Sequence, residues 1–165
     1  DWEECIRIGN LLADEALRII GPAPFEENPD IFCASKVIHF PVETEIMRYV
    51  LKNSPISGQT PHNEDFSVIS TRLNCLNIGQ AQVVTIPGEA LPNIGYYLKR
   101  QMETSQPFLF GLTNDAFGYI LTKEDFNSFE RYNYITRTSL GEKTGEIYVD
   151  ETLKMIRENP ALGRK

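Results

Sequence analysis

Two short segments of the chain end an apolar run in a turn that carries a chemically useful group. Glu89 closes residues 83 to 89, Val-Val-Thr-Ile-Pro-Gly-Glu, and Tyr119 closes residues 114 to 119, Asn-Asp-Ala-Phe-Gly-Tyr. A carboxylate can serve as a hard metal ligand or a general base. A phenol can bind a cation or stabilise an oxyanion. If the two strand ends lie side by side, they would hold a metal ion or a reacting water.

Both groups also have structural interpretations. Glu89 precedes a predicted helix, where a carboxylate caps free backbone amides and meets the positive end of the helix dipole. Gly88 permits the tight turn before it. A lone tyrosine such as Tyr119 more often packs in a core or at its rim. Asn114 and Asp115 either hold the turn or orient a metal ligand. The turn at residues 86–92 would also suit an anion.

The remaining candidate residues indicate little chemistry. His39 lies in an apolar strand, which predicts a hydrogen-bonded structural residue, and His62 lies in a polar loop, which predicts a solvated one. Cys5, Cys33 and Cys75 are far apart and form no CxxC pair, so a zinc knuckle or redox motif is not supported. We expect three reduced, mostly buried thiols and a cytoplasmic protein. One disulfide plus one free thiol stays open.

Composition limits the classes of function. The 165 residues suit one domain. The net charge of −7 argues against a nucleic-acid-binding surface and weakly against docking on anionic membranes. No apolar run approaches the ~20 residues that cross a bilayer. The motifs of serine hydrolases, NTPases, zinc proteases and dinucleotide-binding folds are absent from the sequence.

The first half of the chain should fold as helix, strand, helix and loop. Apolar residues at three- and four-residue steps predict an amphipathic helix over residues 2–20. A strand is predicted over 37–42, ending near Pro41 at a sheet edge or strand terminus. Residues 43–52 suit a short helix with Ile46, Val50 and Met47 inward. A flexible surface loop should follow near 53–65.

The second half should form a strand–helix–strand unit with further elements after it. We predict strands over 73–78 and 81–86 joined by a tight turn at Gly79-Gln80, then a helix over 91–102. A buried strand over 107–112 and a short strand over 118–121 should follow. A capping box at 122–125 predicts a short helix. Asp150 should cap a last helix, with Leu153 and Ile156 inward, that ends before Pro160.

These elements predict an α/β fold, built on a mixed sheet with packed helices. The βαβ-like unit over 81–112 would present ligand groups at the carboxyl ends of its strands. Residues 1–165 would form a single domain or a portion of a larger catalytic domain. Because the chain begins at Asp1 with Trp2 already inside a helical pattern, we expect it to be a piece of a longer product.

Residues from about 68 to 148 resemble the carboxyl-terminal part of the catalytic domain of neutral ceramidase-like proteins. This family comprises the neutral/alkaline non-lysosomal ceramidases and their prokaryotic relatives. The resemblance rests on ordered segments with suitable spacing, together with the helix around residues 12–17. The segments are Arg-Leu-Asn-Cys-Leu-Asn-Ile-Gly at 72–79, Val-Val-Thr-Ile-Pro-Gly-Glu at 83–89, Gly-Leu-Thr-Asn-Asp-Ala-Phe-Gly-Tyr-Ile at 111–120, Thr-Ser-Leu-Gly at 138–141 and Thr-Gly at 144–145.

The resemblance implies zinc chemistry. Enzymes of this family cleave the N-acyl bond of ceramide, and their zinc polarises the amide carbonyl and activates a water. The family's Pro-Gly-Glu glutamate and Gly-Tyr tyrosine are zinc ligands, which implies metal-binding roles for Glu89 and Tyr119. Tyr132 is the nearest match to a downstream tyrosine that binds or polarises the substrate. The family's two histidine ligands lie upstream of this chain, and neither His39 nor His62 matches them.

The resulting hypothesis is a zinc-dependent amide hydrolase, present here as a fragment that is inactive alone. A missing amino-terminal part or a partner chain would supply the histidines. The substrate would be a small or lipid-like amide. The alternative is a non-catalytic module that keeps the fold and binds a ligand or a protein; there Glu89 would only cap a helix and Tyr119 would only pack.

Overall fold

The computed structural model describes residues 1–55 and 57–162. Its helices are α1 (Trp2–Ile20), α2 (Glu45–Asn53), α3 (Pro92–Gln101), α4 (Asn133–Arg137) and α5 (Thr144–Glu158), with 3₁₀ turns at Ser57–Gln59 and Glu130–Tyr132. Its strands are β1 (Ile31–Pro41), β2 (Val68–Ile78), β3 (Ala81–Thr85), β4 (Glu89–Ala90), β5 (Gln106–Phe110) and β6 (Tyr119–Ile120).

The main sheet has four strands in the order β1-β2-β3-β5. β1 and β2 pair antiparallel along their whole length, and a two-residue turn at Gly79-Gln80 connects β2 to the antiparallel β3. Gly79 adopts a φ of 54°, which such turns require. β3 and β5 are parallel, with α3 as the crossover helix. The mixed sheet confirms the predicted α/β fold, the hairpin and the βαβ unit.

One face of this sheet carries the core. Alternate residues of β2 are buried, because side chains of a strand point to opposite faces. Helices α3 and α5 cover this face, and the Tyr148 hydroxyl of α5 donates a 3.2 Å hydrogen bond to the Thr85 carbonyl of β3. The most deeply buried core residues are Phe40, Ile69, Leu73, Cys75, Val84, Leu98, Leu121 and Tyr148.

The opposite face of the sheet is largely open. Register pairing places Val37, Ile78, Phe108 and Phe110 on this face, and each is more than two-fifths exposed. The strand predicted at 107–112 is present as β5, but the prediction that it is buried was wrong. β5 is an edge strand that packs on only one side.

Helix α1 forms as predicted, but its apolar stripe stays exposed. Asp1 caps it by accepting a 2.8 Å hydrogen bond from the Glu4 amide. Ion pairs of Arg7 with Glu4 and Arg18 with Glu15 lie within the helix. None of its residues is buried. No helix in the described ranges is both long enough and apolar enough to span a bilayer.

Two helix predictions at the end of the chain need correction. α5 begins at Thr144 rather than at Asp150, because tertiary contacts bury its first turn: the Gly145 amide donates to the Leu121 carbonyl at 2.8 Å. Its end before Pro160 is as predicted. The capping box forms a single turn, with the Thr122 hydroxyl donating to Asp125 at 2.7 Å. Asn127 then takes a φ of 57°, which a right-handed helix cannot continue.

Two burial predictions also fail, and one loop prediction is untested. In α2 only Met47 is buried, while Ile46 and Val50 are exposed. Cys5 and Cys33 are exposed free thiols, so only Cys75 matches the expectation of burial. Burial raises the pKa of Cys75 to about 11. The flexibility of the loop near 53–65 stays a prediction, and Ile56 within it lies outside the described residues.

The packing predicts a large loss of stability for one Leu→Ala substitution and almost none for another. Leu73 is fully buried in β2, so Leu73→Ala should lower the free energy of unfolding by about 2–5 kcal/mol through lost contacts and a cavity. Leu17 of α1 is 68 % exposed, so Leu17→Ala should change it by less than about 0.5 kcal/mol. Urea denaturation measures both. An equally large loss for Leu17→Ala would mean that α1 packs on the domain.

Candidate functional site

The short strands β4 and β6 bring Glu89 and Tyr119 together. They form a separate two-stranded parallel sheet in which Glu89 is the register partner of Tyr119. The Glu89 amide donates to the Gly118 carbonyl at 2.9 Å, and the Leu91 amide donates to the Ile120 carbonyl at 3.2 Å. Neighbouring strands lie about 4.8 Å apart, and paired side chains share a face. The carboxylate and the phenol therefore leave the backbone side by side.

Two glycines permit this close approach. A Cβ atom at Gly88 would lie 2.5 Å from the Gly118 carbonyl oxygen. Gly118 has a φ of 82°, and a Cβ atom there would overlap the Thr138 carbonyl. Only a residue without a side chain fits either position. Gly88 thus sets how near β4 and β6 can come, and Gly118 sets how near β6 can come to Thr138.

Further backbone hydrogen bonds attach the turn at 111–118 to the end of β3. The Ile86 amide donates to the Phe110 carbonyl at 2.8 Å, and the Leu112 amide donates to the Gly88 carbonyl at 3.0 Å. The Phe117 amide donates to the Pro87 carbonyl at 3.0 Å. The two turns singled out from the sequence are therefore one structural unit at the carboxyl ends of β3 and β5.

The Glu89 carboxylate is exposed and accepts no hydrogen bond from any residue that the structure describes. The N-cap of α3 is Leu91, and no side chain bonds to the first turn of that helix. The interpretation of Glu89 as a helix cap is therefore wrong. An unpartnered carboxylate beside a phenol is left available to a cation or to a water.

Tyr119 has a second aromatic neighbour, Tyr134. Their ring centroids are 5.8 Å apart and their planes are 85° apart. A hydrogen bond to Tyr134 is the main reason why the pKa of Tyr119 is raised, and desolvation and the negative charge of Glu89 contribute further. The contribution of Glu89 agrees with its register pairing with Tyr119.

Tyr132 lies two residues before Tyr134, but its ring contacts are with residues other than Tyr119. Its ring meets Phe129 edge-on at 6.1 Å, and the Arg131 guanidinium lies 4.6 Å from its centroid. No ring contact joins it to Tyr119 in the described part of the chain. Its predicted catalytic role stays a prediction. Tyr134 was missed because the only indication in the sequence was its position two residues after Tyr132.

The histidines take structural positions. His39 Nδ1 lies 2.7 Å from the Ser70 hydroxyl, as expected for a hydrogen-bonded residue. The His62 ring stacks on Phe66 at 3.7 Å, so this exposed side chain is packed rather than only solvated. Within residues 1–55 and 57–162, no three His, Cys, Asp or Glu side chains gather in a way that could hold a metal ion. Glu89 and Tyr119 by themselves would therefore be too few to hold a metal ion.

Asn114 and Asp115 hold the neighbouring turn, as one of the two interpretations predicted. Asn114 takes a φ of 75°, and its amide group donates to the Arg72 carbonyl at 2.9 Å. The Thr71 hydroxyl donates to the Asp115 carboxylate. Burial raises the pKa of Asp115, while this hydrogen bond opposes the shift.

Comparison with solved structures finds similarity to ceramidases. One is the neutral ceramidase from Pseudomonas aeruginosa, with 18 % identity and a TM-score of 0.46; the match covers 59 % of this chain and 17 % of the ceramidase chain. Another is described as a ceramidase complexed with C2, with 21 % identity and a TM-score of 0.46 over 60 % of this chain and 16 % of the other. The chain thus spans about a sixth of these proteins. No protein-family model and no curated protein matches the sequence.

The backbone geometry predicts that Gly118→Ala damages the site. A positive φ costs an ordinary residue about 1–2 kcal/mol, and the overlap with Thr138 adds to this. We expect a lower free energy of unfolding and displaced amide resonances for Glu89 and Tyr119, measured by urea denaturation and NMR. The matched control is Gly9→Ala, since Gly9 has open space around it within α1 and alanine should stabilise the helix by about 0.5–1 kcal/mol. An unchanged spectrum in Gly118→Ala would contradict the geometry.

The contact between the tyrosines predicts a change in titration. In Tyr134→Phe the pKa of Tyr119 should fall, because the hydrogen bond that raises it is lost. The resonance of the Tyr119 ring carbon that bears the hydroxyl, followed against pH, measures this. Tyr132→Phe should leave the titration unchanged, because no contact of Tyr132 with Tyr119 is present. A larger effect in Tyr132→Phe would reverse the roles of the two residues.

Proposed function

We propose that the complete protein is a zinc-dependent hydrolase of linear amides, ceramidase-like in type. The observation that carries this proposal is the register pairing of Glu89 with Tyr119. Both side chains offer oxygen, which is among the atoms that bind zinc. Both extend from backbone that glycines hold in place, and Glu89 has no competing partner in the described chain. The donor set fits zinc and would be half of a site.

In this proposal each residue has a definite task. Glu89 and Tyr119 would hold the metal, which supplies polarisation of the amide carbonyl and activation of a water when bound. Tyr132 would bind or polarise the substrate. Tyr134 would orient the Tyr119 ring through their contact. The substrate would be a small or lipid-like amide with an N-acyl bond.

The proposal places the remaining ligands outside this chain. Two oxygens do not complete a zinc site, which takes three protein ligands or more. Histidines from an amino-terminal part or a partner chain would supply the others, so these 165 residues alone should lack activity. The mass, zinc content and activity of the natural product would test this point. A natural product of this length without zinc would contradict the proposal.

The alternative function is a non-catalytic binding module. The open sheet face favours it, because Phe108 and Phe110 are exposed there and exposed apolar patches often mark interaction surfaces. The apolar stripe of α1 is exposed in the same way. These surfaces are also compatible with the hydrolase, so the pairing of Glu89 and Tyr119 decides our preference.

Substitution of the carboxylate tests the function. In the full-length protein, Glu89→Gln should lower zinc per chain and reduce kcat/KM for an N-acyl substrate by about a hundredfold or more, since even the hydrogen-bond partners of metal ligands have effects approaching that size. The urea denaturation midpoint of the metal-free protein should stay unchanged, because Glu89 is exposed and unbonded.

The control for this experiment is Glu124→Gln. Its carboxylate is 70 % exposed and lies beyond β6, with only a 3.7 Å ion pair to Lys123. It should keep full zinc content and activity. Wild-type zinc content and hydrolysis in Glu89→Gln would refute the assignment of Glu89 and favour the binding module.

A further inference from the structure

A cleft lies where the open sheet face meets the 111–118 turn. Its volume is ≈ 540 Å³. Pockets that bind small ligands range from about 300 to 1,000 Å³. Residues from β1, β2 and the 111–118 turn line it, including Val37, Ser70, Thr71, Arg72, Asn114 and Asp115. We call it the Arg72 cleft.

Strand pairing and side-chain hydrogen bonds position the residues of β1, β2 and the 111–118 turn that line this cleft. Val37 and Arg72 are register partners in the antiparallel pair β1–β2. The Asn114 side chain donates to the Arg72 carbonyl at 2.9 Å and to the Thr85 hydroxyl at 3.3 Å. These bonds attach the turn to two strands of the sheet. The wall formed by Arg72 and Asn114 is therefore attached to the sheet, and the same turn leads into β6.

Arg72 brings an unpaired positive charge to the cleft. Its side chain is exposed, and no carboxylate in the described ranges lies within ion-pair distance of it, although the chain has a net charge of −7. A guanidinium has five N–H donors in a planar fork that matches carboxylate and phosphate groups. Arg72 is thus free to receive an anionic group.

Asp115 provides the cleft with a hydrogen-bond acceptor, in contrast to the cationic Arg72. It lines the same cleft, yet it is bonded to Thr71 rather than to Arg72. The Thr71 hydroxyl occupies one carboxylate oxygen, Oδ2, and no described residue donates to the other. Burial raises the pKa of Asp115, as expected for a group withdrawn from water. Its free oxygen can accept a hydrogen bond from an N–H or O–H group.

We propose that the Arg72 cleft binds a small molecule that carries an anionic oxygen group and a nearby N–H or O–H donor. Arg72 takes the anion, and Asp115 accepts from the donor. Asp115 and Tyr119 are separated by four peptide units, so their Cα atoms lie at most about 14 Å apart. An N-acyl amino acid is short enough to occupy this region. The link to amide hydrolysis rests on the proposed function, whereas binding to the cleft does not.

Calorimetric titration in EDTA tests binding without any metal. The probes are N-acetyl-L-leucine, its uncharged analogue N-acetyl-L-leucinamide, and inorganic phosphate. We expect N-acetyl-L-leucine to bind and to bind about tenfold more weakly to Arg72→Gln, as loss of a charge-assisted hydrogen bond implies. The leucinamide should also bind about tenfold more weakly than the acid. Arg100→Gln is the control, because Arg100 bonds to Tyr96 on α3, away from the cleft.

NMR resonances of Asn114 and Asp115 should shift with the bound probe, which locates the site. Phosphate binding that matches the acid and is lost in Arg72→Gln would support the anion site with phosphate as its ligand. Equal binding to wild type and Arg72→Gln, equal binding of acid and leucinamide, or no binding of any probe would overturn the proposal. Glu89→Gln should retain binding to the cleft. The binding result can therefore be interpreted even if the hydrolase proposal fails.

Discussion

The close contact of two backbones at Gly88 and Gly118 is the constraint on which the candidate site depends. A side chain at Gly88 would push β4 and β6 apart, since the opposing atom is the Gly118 carbonyl oxygen, and a side chain at Gly118 would push β6 away from the Thr138 carbonyl. With glycine at both, β4 and β6 pair in parallel and Glu89 and Tyr119 become neighbours. The pair is only two residues long on each strand. Its position is held mainly by the turns that enter it and by the hydrogen bonds between them.

Those turns in turn depend on the main sheet. β3 and β5 end at the same edge because they are parallel, and α3 joins them across the buried face. The Tyr148 hydroxyl of α5 donates a hydrogen bond to the carbonyl of Thr85, the last residue of β3. Asn114 ties the second turn back to β2 through the Arg72 carbonyl. These contacts attach to the sheet the turns that carry the Glu89 carboxylate, the Tyr119 phenol and the Asp115 carboxyl group.

The chemistry of this edge differs from one end to the other. Glu89 is exposed and without a partner, so its charge is available to a cation. Asp115 is half-buried and hydrogen-bonded, and burial raises its pKa. The pKa of Tyr119 is raised by its hydrogen bond with Tyr134 first, and by desolvation and the negative charge of Glu89 in addition. A cation placed between Glu89 and Tyr119 would relieve that effect, because it would stabilise both oxygens.

The sequence by itself determined the features that follow from local patterns. Apolar periodicity predicted α1, α2 and α3, and Gly79-Gln80 predicted the hairpin. The Pro-Gly-Glu and Gly-Tyr turns marked the residues that the structure brings together. Tertiary structure decided what depends on distant partners. The start of α5 at Thr144, the edge position of β5 and the contact of Tyr134 with Tyr119 all arise from packing between segments far apart in the chain. Local propensity carries no information about such neighbours, because they are set by the order and register of the sheet.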